Sequence, residues 1–139
     1  MDGRIALVGG DEFRPGCEDM DRAILRSTGV ERPSLLVVPT AADKYPSESA
    51  SNGVSYFAEL GAKSSALMVL DRSQANDPDL IAPTDTADVV YFTGGNPAHL
   101  LDTLRGSLLL TKIEQALERG AIVAGSSAGA MVMGPWMRF

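Results

Sequence analysis

Ala121-Ile122-Val123-Ala124-Gly125-Ser126-Ser127-Ala128-Gly129-Ala130-Met131-Val132-Met133-Gly134 decides how this chain is read. Ala121 to Ala124 are small or β-branched and apolar, which predicts a short buried strand. Gly125-Ser126-Ser127-Ala128-Gly129 fits G-x-S-x-G, and a helix of small residues is expected from Ala128 onward. Strand, sharp turn and helix form the context of a nucleophile elbow. The glycines suit it, because so tight a turn strains the central residue and brings backbone segments close together. Ser127 would then expose its hydroxyl at the positive end of a helix, where developing negative charge is stabilised. A strand-to-helix turn without chemistry has the same composition; the strand before and the helix after favour the functional reading.

Outward from this stretch the chain alternates short apolar runs with helical patterns. Arg4 to Val8 reads as a strand ending at Gly9-Gly10, and a helix is expected over about 17–28, its inward stripe being Met20, Ala23, Ile24 and Ser27. Leu35 to Val38 is a second strand, closed by Pro39-Thr40. Ala41 to Asn52 is polar and reads as loop, followed by a helix carrying Val54, Phe57 and Ala58 and ending at Gly61. Ser65 to Leu70 is the third predicted strand. Asp71 to Pro78 reads as turns, with a short helix at Asp79 to Ala82. Asp88 to Phe92 is the fourth strand. Pro97 opens a helix to Leu104, and Ser107 caps another that runs to Glu118 and stops at Gly120. Continuous apolar strands alternating with helices mean a parallel sheet covered on both faces, a three-layer α/β/α sandwich. Ligands bind such sheets at the carboxyl ends of the strands. Gly9-Gly10, Pro39-Thr40, Gly94-Gly95-Asn96 and the elbow all fall there.

The chain has 139 residues, which suits one domain over 1–139. Its net charge of −6 argues against nucleic-acid or anionic-membrane partners, which need a basic footprint. The single cysteine, Cys17, excludes an intrachain disulfide and any CxxC metal pair. No apolar run reaches the length of a membrane span, so a soluble cytoplasmic protein without metal or cofactor is expected.

Thr93-Gly94-Gly95-Asn96 is the second informative stretch. An oxyanion hole takes one N–H from the residue after the nucleophile, here Ala128, and one from another loop. A Gly-Gly pair at a strand end can aim a bare N–H at that point. Alone it would read as a tight turn; paired with the elbow it reads as function. Together, Tyr91-Phe92-Thr93-Gly94-Gly95-Asn96, the Leu100, Leu101 and Leu104 helix, and residues 120–134 resemble the serine peptidase family of cyanophycinase and aspartyl dipeptidase (dipeptidase E). Gly9-Gly10 and Val38-Pro39-Thr40-Ala41-Ala42 look similar too. The resemblance implies a class I glutamine amidotransferase-like (flavodoxin-like) fold, with Ser127 as nucleophile and the Gly95 and Ala128 amides as oxyanion hole. Gly94, Asn96 and Ser126 are candidate substrate contacts beside them. Amidotransferases proper carry Cys at the elbow, so Ser127 implies hydrolysis through an acyl-ester. The family suggests small peptides with an aspartyl residue at the scissile bond.

The family's catalytic His and its carboxylate lie well downstream of the nucleophile, whereas Phe139 is twelve residues after Ser127. The resemblance therefore implies a fold truncated at its C-terminus, completed by a homodimer or by a partner supplying the rest. A serine hydroxyl needs an adjacent base, and losing Ser or His from a serine protease costs about 10⁶ in kcat. His99, the only histidine, is the one base available in the sequence, though family members draw theirs from elsewhere. The alternative to a hydrolase is an inactive binding or interaction module. Gly9-Gly10-Asp11-Glu12-Phe13 spells the GGDEF signature of diguanylate cyclases, but too little chain precedes it and a helix follows, so it reads as coincidence. Glu18, Asp19 and Asp21 read as a solvated acidic helix start.

Overall fold

Alternation along the apolar runs sorts their side chains onto two faces of one sheet. The computed structural model describes residues 3–8, 13, 15–126 and 129. The strands are β1 (Arg4–Val8), β2 (Ser34–Val38), β3 (Lys63–Ala66), β4 (Val89–Phe92) and β5 (Ile122–Ser126). All pair in parallel, in the order β1-β5-β4-β2-β3. Leu35, Val37, Val89, Tyr91, Ile122 and Ala124 face one way, onto α1 (Glu18–Ser27) and α2 (Pro46–Glu59). Leu36, Val38, Val90, Phe92 and Val123 face the other, onto α5 (Pro97–Leu104) and α6 (Leu108–Arg119). Two short helices, α3 (Arg72–Ala75) and α4 (Pro78–Ile81), and a 3₁₀ turn (Ala82–Asp85) fill the connection from β3 to β4. The result is the expected α/β/α sandwich.

Local signals set several boundaries. Ser107 caps α6 by accepting from the Leu110 N–H at 3.1 Å, and Gly120 ends it in the left-handed conformation at φ 105°. Asn96 and Asp71 cap α5 and α3 in the same way as Ser107.

Other elements depart from the sequence expectations. Helix α2 starts at Pro46, inside the stretch read as loop, and Ala50, Gly53 and Phe57 form its buried face while Ala58 is exposed. Gly53 lies so close to the sheet that a Cβ there would sit 2.9 Å from Val37 Cγ1. Packing, not propensity, makes this polar segment helical. Pairing of β3 covers the polar residues Lys63 to Ala66, not Ser65 to Leu70; beyond it Leu67 and Val69 are buried as irregular chain. Residues 72–75, read as turn, form α3. The strand β5 runs two residues further than Ala124, through Gly125 and Ser126.

Helix α1 is rotated from its expected face. Met20 is 42% exposed and Ala23 and Ser27 are exposed, while Asp21, Ile24 and Leu25 turn inward. Asp21, expected in solvent, is only 1% exposed and accepts a 2.5 Å hydrogen bond from the Tyr56 hydroxyl of α2. Its Oδ1 has no hydrogen-bond partner among the described residues. Burial raises the Asp21 pKa above its usual range; the Tyr56 bond opposes this and the nearby Glu18 charge adds to it. The Tyr56 hydroxyl is pushed up by burial and by Asp21. Phe13, at φ 66°, wedges among Tyr56, Phe57 and Tyr91 with ring centroids 5.5, 5.9 and 5.6 Å away. The other four residues of the GGDEF string lie outside the described residues, as does the Gly9-Gly10 loop.

On β1, Ile5 is 40% and Leu7 62% exposed, and among the described residues β1 is an edge of the sheet. Among those residues no helix is long and apolar enough to cross a membrane.

Candidate active site

Two loops meet at the carboxyl ends of β2 and β4. After β2, the Ala42 N–H donates to the Pro39 carbonyl (3.0 Å) and the Asp43 N–H to the Ala41 carbonyl (2.9 Å), turning the chain tightly. The Thr40 hydroxyl ties the turn to the Val69 carbonyl at 2.5 Å. After β4, the Asn96 N–H donates to the Ala41 carbonyl at 2.7 Å, drawing the Gly94-Gly95 turn onto the first loop. Gly95 has φ 142°, and a Cβ there would collide with the Ala41 carbonyl. Only glycine meets both conditions.

Asn96 is occupied structurally. Its Oδ1 accepts from the Ala98 and His99 N–H groups (3.0 and 3.2 Å), and its Nδ2 donates to Asp43 Oδ2 at 3.2 Å. It caps α5 and bridges the two loops at once. Thr93, just before the glycines, is fully buried, and its hydroxyl has no hydrogen-bond partner among the described residues.

The nucleophile stretch is described at its flanks. Ser126 is fully buried at the end of β5, in register with Val8 of β1. Gly129 is buried against β4, where a Cβ would lie 2.8 Å from the Phe92 carbonyl oxygen. Both flanks are therefore pinned to the strands on either side of β5. Ser127 and Ala128, the expected nucleophile and oxyanion donor, lie outside the described residues.

His99 turns toward α3. Its Nε2 lies 2.8 Å from the Leu70 carbonyl oxygen, which can only accept, so the Nε2–H donates to it. Being half-buried and tethered, it fastens α5 to the chain after β3.

Nothing in the residue pattern announces the cleft beside Gly95. An open depression of about 430 Å³ is bounded by Gly94 and Gly95 on one side and by Asp43, Lys44, Tyr45, Glu48 and Asn52 on the other. Its floor depends on α2 beginning at Pro46, the boundary that composition misplaced.

The α/β fold agrees with the comparisons. Residues 5–139 match the family model for peptidase family S51, and the chain belongs to that family. A crystal structure of a peptidase from an acI-B1 Actinobacterium superposes with a TM-score of 0.85 at 32% identity, covering 96% of this chain and 57% of that one. A peptidase E-like protein from Listeria monocytogenes EGD-e shares the fold at TM-score 0.67 and 19% identity, over 94% of this chain and 61% of its own. The chain thus spans about three-fifths of each solved structure. No curated protein matches the sequence.

Proposed function

We propose that this chain carries the nucleophile half of a serine-type peptidase that forms an acyl-ester at Ser127 on aspartyl-containing dipeptides or short peptides. The observation that carries the reading is the G-x-S-x-G string that begins at Gly125 in β5, with Ser126 buried at the strand end and Gly129 packed on β4, in a chain of the S51 family. Ser127 attacks the scissile carbonyl as a base takes its proton, and the N–H groups of Gly95 and Ala128 hold the oxyanion; the C–N bond then breaks, the amine leaves with that proton, and water hydrolyses the acyl-ester. The strained Gly95 turn, locked to Ala41, supports its part: an oxyanion donor must be in place before charge develops. Gly94, next to Gly95 in the same turn, is the remaining candidate substrate contact. The described roles of Asn96 and Ser126 favour positioning the loops over touching substrate.

The base is proposed to come from outside the described residues, since the bond to the Leu70 carbonyl turns the His99 ring toward the chain after β3. A second copy of the chain, or a segment equivalent to the remaining part of the solved relatives, would bring it. The exposed Ile5 and Leu7 on β1 mark an apolar edge on which such a segment could add to the sheet. The His99 tether also favours a second reading, a binding module without turnover when the chain stands alone. Release of 4-nitroaniline from aspartyl-4-nitroanilide, compared with the alanyl analogue and with Ser127→Ala, tests the first reading. The peptidase reading expects aspartyl-selective release that Ser127→Ala abolishes; release unchanged by the substitution would overturn it, and none at all would leave the binding module.

A further inference from the structure

Helix α1 carries two candidate inner faces on one cylinder, and the fold uses the one that buries a carboxyl. Met20, Ala23, Ile24 and Ser27 form the stripe expected from the sequence, whereas Asp21, Ile24 and Leu25 are the residues turned inward. We infer that α1 is a proton-controlled rotary element: it holds the observed face while Asp21 keeps its proton, and it turns by one residue, about 100°, to the Met20 face when Asp21 ionises.

The observed face suits only a neutral Asp21. Its Oδ2 accepts from the Tyr56 hydroxyl at 2.5 Å, and its Oδ1 is buried with no hydrogen-bond partner among the described residues. A buried carboxyl with an unserved oxygen is tolerated neutral and penalised ionised. The groups that act on it are Tyr56 from α2 and Glu18 from the first turn of α1, with Cys17 acting on Tyr56. The strands contribute Ala6, Ile122, Ala124 and the Tyr91 ring to the cluster that holds Ile24 and Leu25. None of these groups is cationic, so none of them holds an ionised Asp21 in place. The Met20 face has no such conflict. There the Ser27 hydroxyl already donates to the Ile24 carbonyl at 2.7 Å, Ile24 belongs to both faces, and Met20 replaces Leu25 at similar volume.

The surroundings of α1 permit the turn. Gly16 at φ 101° and Gly29 at φ 71° flank it, and nothing lies within 4 Å of where a Cβ at either would be. Such residues absorb changes of backbone dihedral. A depression of about 230 Å³ separates Leu25 and Arg26 from Leu60 and Gly61, leaving room along the helix. Among the described residues, the Asp21–Tyr56 bond is the one side-chain hydrogen bond from α1 to another helix or strand. Its loss frees the Tyr56 ring, which packs on Phe13, and Phe13 packs on Tyr91 of β4, the strand that leads to Gly94-Gly95. The proton at Asp21 is thereby joined to the rim of the candidate site.

The test follows oxidation of Met20 by hydrogen peroxide in the whole chain, read by peptide mass on either side of the Asp21 titration, which the carboxyl carbon shift of Asp21 locates. Oxidation tracks exposure. Met20 is 42% exposed on the observed face, so its rate should fall about fivefold as pH rises through that titration. Half-buried Met68, after β3, should keep a constant rate. Asp21→Asn, uncharged at every pH, should leave Met20 reactive throughout. Met20→Lys closes the second face at an exposed position, so the variant should fold, and its stability should fall more steeply with pH than that of the wild type. A Met20 rate that stays level across the titration, falls in step with Met68, or falls as much in Asp21→Asn would overturn the inference. So would a Met20→Lys stability curve parallel to the wild type's, or an Asp21 that keeps its proton until the chain unfolds.

Discussion

Replacing Gly95 by alanine perturbs the joint on which the site depends. At φ 142° an alanine pays backbone strain of about 1–3 kcal/mol. Its Cβ would also meet the Ala41 carbonyl, so the two loops must separate and the 2.7 Å bond from the Asn96 N–H to that carbonyl is lost. A lost hydrogen bond adds about 0.5–1.5 kcal/mol, so the total is roughly 2–4 kcal/mol. Gly61 supplies the control: it too has positive φ, at 104°, but nothing lies within 4 Å of where its Cβ would be. Gly61→Ala should therefore cost strain alone, about 1–2 kcal/mol. Urea unfolding of both variants measures the difference. Equal losses, within about 0.5 kcal/mol, would refute the claim that contact with the Ala41 loop, and not φ alone, demands glycine at 95.

Three further outcomes follow from the geometry. Because burial raises the Asp21 pKa in the fold, the native state holds that proton more tightly than the unfolded chain, whose value is near 3.8. Asp21's contribution is thus fully present below that pH and is lost as pH rises through the folded pKa, with a slope of at most about 1.4 kcal/mol per pH unit; Asp21→Asn should flatten that part of a stability-against-pH curve, and an unchanged curve would contradict the buried placement. Phe57→Ala, at the centre of the Phe13, Tyr56 and Tyr91 cluster, should cost about 3–5 kcal/mol in urea unfolding. His99→Gln should cost about 1 kcal/mol through its bond to Leu70 while leaving the reactivity of Ser127 unchanged; a loss of that reactivity would make His99 the base.

The parts legible in the sequence carry their signals locally. Apolar β-branched runs mark β1, β2, β4 and β5, and Asn96-Pro97, Ser107 and Gly120 mark helix ends by the bonds their own atoms make. What escaped depends on distant partners. The polar residues 46–53 become helical because Ala50 and Gly53 reach the sheet, and the one local hint was Pro46 followed by Glu48. Asp21 is turned inward by a tyrosine 35 residues away. The pairing of β3 went to Lys63 to Ala66 because β2 dictates the register, against the pull of the more apolar Leu67 to Leu70. In the candidate site the glycines were readable as turns, but their contact with Ala41 was not, and the Asp43, Tyr45 and Glu48 cleft exists only once α2 is correctly placed.

The central claim is that Ser127 is a nucleophile. The direct measurement is fluorophosphonate labelling of the folded chain, read by intact mass, with Ser127→Ala alongside. The account predicts one adduct per chain, absent in the variant, and faster when the base-bearing segment or second copy is present. A folded chain that stays unlabelled under both conditions, or a variant that labels equally, would contradict it.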